Sequence, residues 1–372
     1  MAPRLERESL ALTVHAHDPI FVESIIWVGL RTPDVLPFNT VPLMFLSWRY
    51  RLGFLCLALL LGLGRSTLHR HGHLGRDSHQ LVAAEQVDPT AAQLQIGVSA
   101  LEADHYEAAI AAFTKAIESD PKNEAGYLGR AGAYRRSGQY AKALADANEA
   151  VRLNPDNSEA YVVRGVIHLS QHDSTKAIAD FSEAIRRDSK CIDGYLGRGD
   201  AYLDKDDFDR AIADHTIAIQ MDPENSDGYS ARGEDYEARK DYDRAIADYN
   251  EAIQKNDKDL RAYNGLAWIS ATCPRAELRD GKQALEYALY VCKLDDYKHG
   301  AYLDTLAAAY AEAGQFDEAV RWETKSLDDQ ADLVPDEVAR AQHRLELYKR
   351  QQPYRDDTPS GPAKAGQQHK KR

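Results

Sequence analysis

Apolar and polar residues alternate between residues 90 and 259 with the three- and four-residue spacing of amphipathic helices. The apolar stretches are short, and turns rich in aspartate, asparagine and glycine separate them. Pro121, Pro155 and Pro223 each end one stretch, because proline has no amide hydrogen for the interior of a helix. The pattern therefore predicts a series of short helices joined by tight turns.

The helical pattern repeats every 34 residues. Equivalent segments begin at residues 104, 138, 172, 206 and 240, and they align without a gap. If the first unit starts at Thr90, position 8 is glycine or alanine, and positions 20 and 27 are alanine in all five units. Small residues there let helix backbones approach closely, and aromatic residues at positions 4, 11, 17 and 24 fill the space that is left. Since one helix pair cannot close its own core, the units must stack.

This pattern resembles the tetratricopeptide repeat, which consists of two antiparallel helices in 34 residues. The resemblance covers residues 90–259 without a gap. It implies an all-α fold in which helix pairs stack into a right-handed superhelical solenoid with a concave inner face. It also implies that the chain binds a protein or peptide partner on that face.

The period slips in the sixth unit, where an insertion places Ala284 39 residues after Ala245. A seventh unit follows with the expected spacing. We therefore expect about seven repeats in a solenoid at residues 89–334, a capping helix at 335–352 and a disordered basic tail at 353–372. The last units resemble the C-terminal part of secreted tetratricopeptide proteins of planctomycete bacteria.

Arginine at position 7 and aspartate at position 23 occur together in units 2 to 5, and unit 1 lacks both. This co-occurrence predicts an ion pair between the two helices of each unit rather than between neighbouring units. Units 6 and 7 have apolar pairs at the same positions, Leu266 with Tyr287 and Leu306 with Trp322. The four predicted ion pairs are Arg130 with Asp146, Arg164 with Asp180, Arg198 with Asp214, and Arg232 with Asp248.

By the resemblance, positions 2, 5, 6, 9, 12 and 13 of each unit line the concave face. These positions are mainly apolar in the first units and become acidic in the later ones. We expect a partner segment with apolar anchors and basic residues. The alternative interpretation is that the acidic residues only keep a long surface soluble. The candidate groove residues are Leu94, Val98, Leu128, Val162, Val166, Leu196, Asp200, Leu203, Asp227, Glu234 and Glu237.

The charge balance excludes one class of function. The chain of 372 residues has 46 basic and 59 acidic side chains, a formal net charge of −13. Proteins that bind nucleic acid normally need a basic face to displace counterions, so no nucleic-acid partner is expected. Residues 1–82 carry eight arginines and six acids, so the acidic excess belongs to the repeats.

An uninterrupted apolar run at residues 52–64 follows Arg49 and Arg51. A helix of this length rises about 20 Å, which is short of a bilayer core of about 30 Å. A basic flank, a short apolar run and small residues at its end are typical of a secretory signal peptide. The run therefore predicts an exported protein, either periplasmic or anchored in the membrane and facing away from the cytoplasm.

The position of this run indicates an internal start of translation. Met44 lies just before the basic flank, and the hypothesis is that residues 1–43 are an artefact of start-site choice. Residues 44–64 would then be a cleaved signal peptide or an uncleaved signal anchor that tethers the chain through residues 52–64. Residues 65–88 would form a flexible linker.

Candidate chemistry adds little to this interpretation. The sequence has no G-x-S-x-G, no H-E-x-x-H and no phosphate-binding glycine loop, so we expect no catalytic residues, no metal and no cofactor. The chain is interpreted as a non-catalytic protein-interaction scaffold. Two alternatives stay open: an accessory subunit that presents substrates to a separate enzyme, such as a glycosyltransferase, and an envelope assembly factor.

Cys273 and Cys292 flank the insertion of the sixth unit. In an exported protein they could form a disulfide that holds the long loop to its own second helix. The alternative is that both are small buried apolar residues.

Overall fold

The computed structural model describes residues 88–328 and 335–357, with the side chains of residues 335–337 left out. The predicted upstream segment, the signal at 44–64, nearly all of the linker and residues 358–372 lie outside the described residues. Within the described ranges the chain forms fifteen α-helices and one short 3-10 helix, Ala276–Leu278, and no strand. The helices are α1 Pro89–Glu102, α2 Tyr106–Ser119, α3 Glu124–Arg136, α4 Tyr140–Leu153, α5 Ser158–Ser170, α6 Ser174–Arg187, α7 Ile192–Leu203, α8 Phe208–Met221, α9 Ser226–Ala238, α10 Tyr242–Lys255, α11 Leu260–Thr272, α12 Gly281–Leu294, α13 Gly300–Glu312, α14 Phe316–Asp328 and α15 Pro335–Lys349.

The helices pack in the order of the chain. Each odd-numbered helix pairs with the next one, so that α1 and α2 form unit 1 and α13 and α14 form unit 7, and α15 packs on α14. First helices of successive units also contact each other. The all-α solenoid of seven helix pairs that the sequence predicted is confirmed. Within the described residues, no helix combines the length and the apolar composition that crossing a bilayer requires.

The turn inside each unit uses one left-handed residue. Position 15 has a positive φ in units 1 to 5 and in unit 7, with values from 56° to 75°. Gly138 and Gly314 take this conformation without steric cost, whereas Asp104, His172 and Lys240 adopt it with a side chain. In unit 6 the same position is Pro274, whose fixed negative φ cannot make this turn, and the insertion replaces it.

A bulky ring at position 24 determines where glycine stands. Phe181 in α6 packs against Gly165 of its own unit and Gly197 of the next, and a Cβ on either glycine would lie within 3 Å of the ring. Phe113 and Tyr249 repeat the arrangement in units 1 and 5. In unit 2 the ring is replaced by Ala147, and position 8 of that unit is alanine. Ring size and glycine therefore vary together because they fill the same space.

The two cysteines of the sixth unit are not bonded to each other. Cys273 follows α11 and is buried against a cluster that includes Tyr242 and Leu266. Cys292 lies in α12 within a different cluster, and its Sγ lies 3.5 Å from the carbonyl oxygen of Tyr302. The proposed disulfide is therefore wrong, because the two thiols face separate apolar clusters. Both serve as small buried apolar residues.

Candidate concave binding face

The four arginine–aspartate pairs are all present inside their units. Each guanidinium uses Nε and Nη2 to bind both carboxylate oxygens, a bidentate geometry that gives strong, directional hydrogen bonds. The shortest distances lie between 2.6 and 2.7 Å: Arg130 with Asp146, Arg164 with Asp180, Arg198 with Asp214, and Arg232 with Asp248. The aspartates are buried and the arginines are about one-fifth exposed. These pairs hold the wall of the solenoid together.

Each arginine also reaches the preceding unit, which the sequence reasoning missed. Nη1 of Arg130 donates to Thr114, and Nη1 of Arg232 donates to Thr216. The partners in between are Asn148 and Ser182. All four acceptors stand at position 25, and a polar residue recurring there was the signal that could have revealed them. Each arginine therefore ties two units as well as two helices.

The apolar residues assigned to the groove are mostly part of the core. Leu94 and Val98 are buried against Phe113, and Leu128, Val162 and Leu196 are buried as well. Only Val166 and Leu203 of this group keep partly exposed side chains. The position in the repeat predicts which face of the helix a residue occupies, but it does not predict how far neighbouring side chains bury that residue.

The acidic groove residues do lie together, and an arginine bridges two of them. Nη2 of Arg261, at the start of α11, lies 2.9 Å from Asp200 and also contacts Glu234. Asp200 and Glu234 belong to units 4 and 5, so the contact joins three successive first helices. Arg261 was not among the predicted residues, because position 2 is acidic in the three units before it.

A row of acids precedes Arg261 at position 2. Glu159, Asp193 and Asp227 occupy this position in units 3, 4 and 5. Burial, and after it the charge of Asp193, raises the pKa of Glu159 to about 7. The row therefore lines three successive first helices with carboxyl groups.

A cavity of about 440 Å³ lies on the concave side of units 5 to 7. First helices α9, α11 and α13 form its floor, and α15 and the residues after it form its other wall. Glu237 accepts a 2.7 Å hydrogen bond from the Tyr249 hydroxyl, and burial raises the pKa of Glu237 to about 8. The amide oxygen of Asn264 is buried there without a hydrogen-bond partner. The cavity thus combines aromatic faces with one amide oxygen that lacks a donor.

Helix α15 is fixed to unit 7 by a buried arginine. The Arg344 guanidinium lies 2.7 Å from Asp304 and 3.3 Å from Glu323, and it stacks over the Trp268 ring at 5.5 Å. Glu323 is fully buried, and burial raises its pKa strongly. Tyr348, also fully buried, adds an apolar contact on the same helix. Loss of this helix would remove the cation that pairs with Asp304 and Glu323 and the ring that fills the core beside them.

The residues after α15 turn back onto the concave face. The amide of Asp356 donates a 2.9 Å hydrogen bond to the carbonyl of Thr272, and its carboxylate contacts Lys240. Arg355 lies 2.7 Å from Glu312, and the Tyr354 ring lies 6.1 Å from that of Trp268. The sequence assigned residues 353–372 to a tail, and the first five of them are placed against units 5, 6 and 7.

One buried pair marks the junction of units 4 and 5. His215 takes the place of the ring at position 24, and its Nδ1 lies 2.6 Å from Asp235. Both side chains are fully buried, and the other oxygen of Asp235 has no partner. Burial opposes the charge on His215, but the attraction of Asp235 outweighs it and raises the pKa of the imidazole. Among the described residues, no group of three histidine, cysteine, aspartate or glutamate side chains is arranged to hold a metal.

Comparison with known proteins agrees with this architecture. The family model described as tetratricopeptide repeat matches residues 94–152, 128–190 and 196–271. Together with the helix pairing, this match shows tetratricopeptide repeats within residues 94–271, a class of repeat that is usually non-catalytic and typically binds protein or peptide partners. No curated protein matches the chain in sequence.

Two solved structures share the fold over more than two thirds of this chain. A tetratricopeptide repeat protein from Parabacteroides merdae matches with 14% identity and a TM-score of 0.51, covering 70% of this chain and 99% of that one. The Cut9–Hcn1 hetero-tetramer of the APC/C matches with 18% identity and a TM-score of 0.56, covering 69% of this chain and 48% of that one. MamA is 25% identical over 46% of this chain and 93% of its own, with a TM-score of 0.37.

Proposed function

We propose that the protein is a non-catalytic scaffold that binds an extended segment of a partner protein on the concave face of units 3 to 7. The observation that carries the proposal is the seating of residues 353–357. They show how this face can bind an extended chain: a backbone carbonyl of α11 accepts a hydrogen bond, Trp268 offers an aromatic surface, and Glu312 binds a guanidinium. A partner segment would use the same kinds of contact.

The charges of this face support a partner with basic residues. The carboxyl groups of the row at position 2, together with Asp200 and Glu234, supply negative charge that a basic residue of a partner would contact. Electrostatic complementarity of this kind selects partners and speeds their association. Apolar anchors on the partner would contact Trp268, Leu203 and Val166, which keep partly exposed side chains.

Export is part of the proposal and rests on residues 44–64 alone. A scaffold that is released beyond the cytoplasmic membrane, or tethered there through residues 52–64, would meet partners of the envelope or of secreted complexes. Presenting substrates to a separate enzyme and assisting envelope assembly are narrower forms of the same activity. N-terminal sequencing of the mature protein tests the proposed start at Met44, because a sequence that begins upstream of Met44 would contradict it.

Selection from a random library tests the binding function. A phage-displayed library of random 15-residue peptides is selected on the full chain. We expect enriched peptides to combine lysine or arginine with aromatic or aliphatic anchors. Their affinity should fall at least about tenfold, or 1.4 kcal/mol, for the variant D193K/D227K, because two acids of the row become basic.

A matched variant separates the groove from general charge. The substitutions E118K/E286K change the charge by the same amount on exposed second-helix positions of units 1 and 6, and they should leave the affinity unchanged. Thermal unfolding shows whether each variant is folded. Peptides that bind the two variants equally well, or that carry no basic residues, would contradict the proposal.

A further inference from the structure

The segment that follows α15 covers the part of the groove that a partner would need. Its contacts fall on three successive units: Lys240 after α9, Thr272 at the end of α11 and Glu312 at the end of α13. These groups belong to the concave side of units 5, 6 and 7. A second extended segment could not bind the same carbonyl, ring and carboxylate while the first is in place.

The segment is held much less firmly than the helix before it. Residues 353–356 are only half-buried, and Asp357 is exposed. Their ion pairs reach solvent, with the Arg355 side chain 31% exposed and that of Lys240 23% exposed. Ion pairs with access to water contribute little to stability. In contrast, Arg344 and Tyr348 of α15 are buried.

A turn at Gln351 separates helix α15 from residues 353–357. Gln351 has a φ of 56°, in the left-handed region, directly after the last turn of α15. The amide of Gln352 donates to the carbonyl of Leu347, which closes the end of the helix. Residues 353–357 can therefore leave the groove by changing backbone angles at this turn, while α15 stays in place.

We infer that residues 353–357 are an intramolecular ligand of the concave groove that must be displaced before a partner segment binds units 5 to 7. The inference rests on the proposed function. The chain itself then sets the threshold for binding: if the segment occupies the groove nine-tenths of the time, the observed dissociation constant of a competitor rises about tenfold. Because the segment is tethered, it competes at a high effective concentration.

The segment supplied as a separate peptide tests this inference. The probe is a synthetic peptide with the sequence of residues 351–372, labelled with a fluorophore. It should bind saturably to a chain that ends at Gln351, with a dissociation constant at least about tenfold lower than for the full chain. A peptide with the changes Y354A and R355A should bind the shortened chain at least tenfold more weakly, because it lacks the ring and the guanidinium.

Two further proteins make the result decisive. A chain that ends at Asp357 keeps the seated residues and should behave like the full chain. The full-length variant Y354A/R355A should bind the probe as the shortened chain does, which covers the case in which the shortened chain fails to fold. Equal binding of the probe to all these chains, or no binding to folded chains with an empty groove, would overturn the inference.

The library peptides distinguish this result from the proposed function. If they bind the full and the shortened chain equally well, the scaffold function stands and the intramolecular ligand is wrong. If the probe binds the shortened chain but no library peptide binds any chain, the segment is a ligand of its own groove and the scaffold function fails.

Discussion

Units 2 to 5 and the region from unit 6 to α15 use charge in different places. In units 2 to 5 an arginine and an aspartate form the same ion pair between the two helices of each unit. Each arginine also donates a hydrogen bond to the preceding unit. In units 6 and 7 the same positions are apolar, with Leu306 fully buried and Trp322 packed in the same cluster. The charges of this second region lie on the concave side, around Arg261 and Arg344.

The difference separates two roles that a repeat can give to a buried charge. A pair inside the wall is repeated because every junction has the same geometry, so it serves architecture. A charged contact on the concave face occurs only once, because it depends on which residues the neighbouring units have at that point. The second kind marks the part of the solenoid where a partner would be recognised.

The largest expected effect lies inside the first region, at the junction of units 4 and 5. The variant H215F gives unit 4 the ring that unit 3 has, but it leaves Asp235 buried without a cation. We expect a loss of about 3–5 kcal/mol in the free energy of unfolding at pH 7, measured by urea denaturation. The loss should shrink toward pH 5, because burial already raises the pKa of Asp235 to about 6 and the stranded carboxyl can take up a proton.

The double variant H215F/D235A is the control for this change. It reproduces the combination of ring and small residue found between units 3 and 4, where Phe181 faces Ala201 in one cluster. Its stability should return to within about 1 kcal/mol of the original chain. If the double variant is as unstable as H215F, the pair is not the cause.

The second prediction replaces the ion pair of unit 4 with the apolar pair that unit 6 has at the same positions. The variant R198L/D214Y gives unit 4 the apolar pair of unit 6, and its stability should stay within about 1–2 kcal/mol of the original. The single variant R198L should lose about 2–3 kcal/mol, because Asp214 is only 5% exposed and would lack its partner. Chemical denaturation measures both. Equal losses in the two variants would show that the wall charges do not act as pairs.

The third prediction concerns pH and belongs to the inner face. The pKa of Glu237 is raised from its usual value to about 8 in the folded chain. Its contribution to stability is complete at pH 4 and is lost as the pH rises through 8, by at most about 1.4 kcal/mol per pH unit. The variant E237Q should therefore lose less stability than the original chain between pH 5 and 8.5, as thermal unfolding would show.

Glu286 supplies the matched change for that comparison. Its side chain is exposed on α12, so E286Q should follow the pH profile of the original chain. If E237Q follows it too, the carboxyl in the cavity does not carry the proton that its burial implies.

The smallest effect tests the regular turn of the first region. His172 has a φ of 58° at the position where Gly138 stands in the unit before it. The variant H172G should raise the free energy of unfolding by about 0.5–1 kcal/mol, because a side chain in this conformation is strained. The converse change G138A should lower it by about the same amount. Opposite signs would mean that contacts of the His172 side chain outweigh the backbone.

The ion pairs at positions 7 and 23 could be predicted from the sequence because the repeats of one chain can be compared with each other. Unit 2 has both Arg130 and Asp146, whereas unit 1 has Ile96 and Ala112 at the same positions and lacks both charges. One chain therefore supplied the covariation that several sequences would normally give. The same reasoning could have found the position 25 acceptors, such as Thr114. Periodicity therefore predicts contacts that recur.

The inner face could be predicted only in part, since its contacts do not recur. Arg261 reverses the sign that position 2 has in the three units before it, and nothing in the repeat indicates which acids it would bridge. Leu94 and Val98 point inward by position, yet Phe113 and its neighbours bury them. No sequence pattern connects Tyr354 to Trp268, because the contact joins segments that belong to different parts of the solenoid.

The return of the chain after α15 also changes how the end of the solenoid can open. The wall ion pairs join residues 16 apart, whereas the contact of Lys240 with Asp356 joins residues 116 apart. A stack with only neighbour contacts frays from its last repeat, one unit at a time. Here the contacts from the end of the chain close a loop around units 5, 6 and 7, so fraying of α13 and α14 must also break contacts to α11 and Lys240. Release of the segment would therefore lower the cooperativity of this end, and opening would become easier as soon as the groove is vacated.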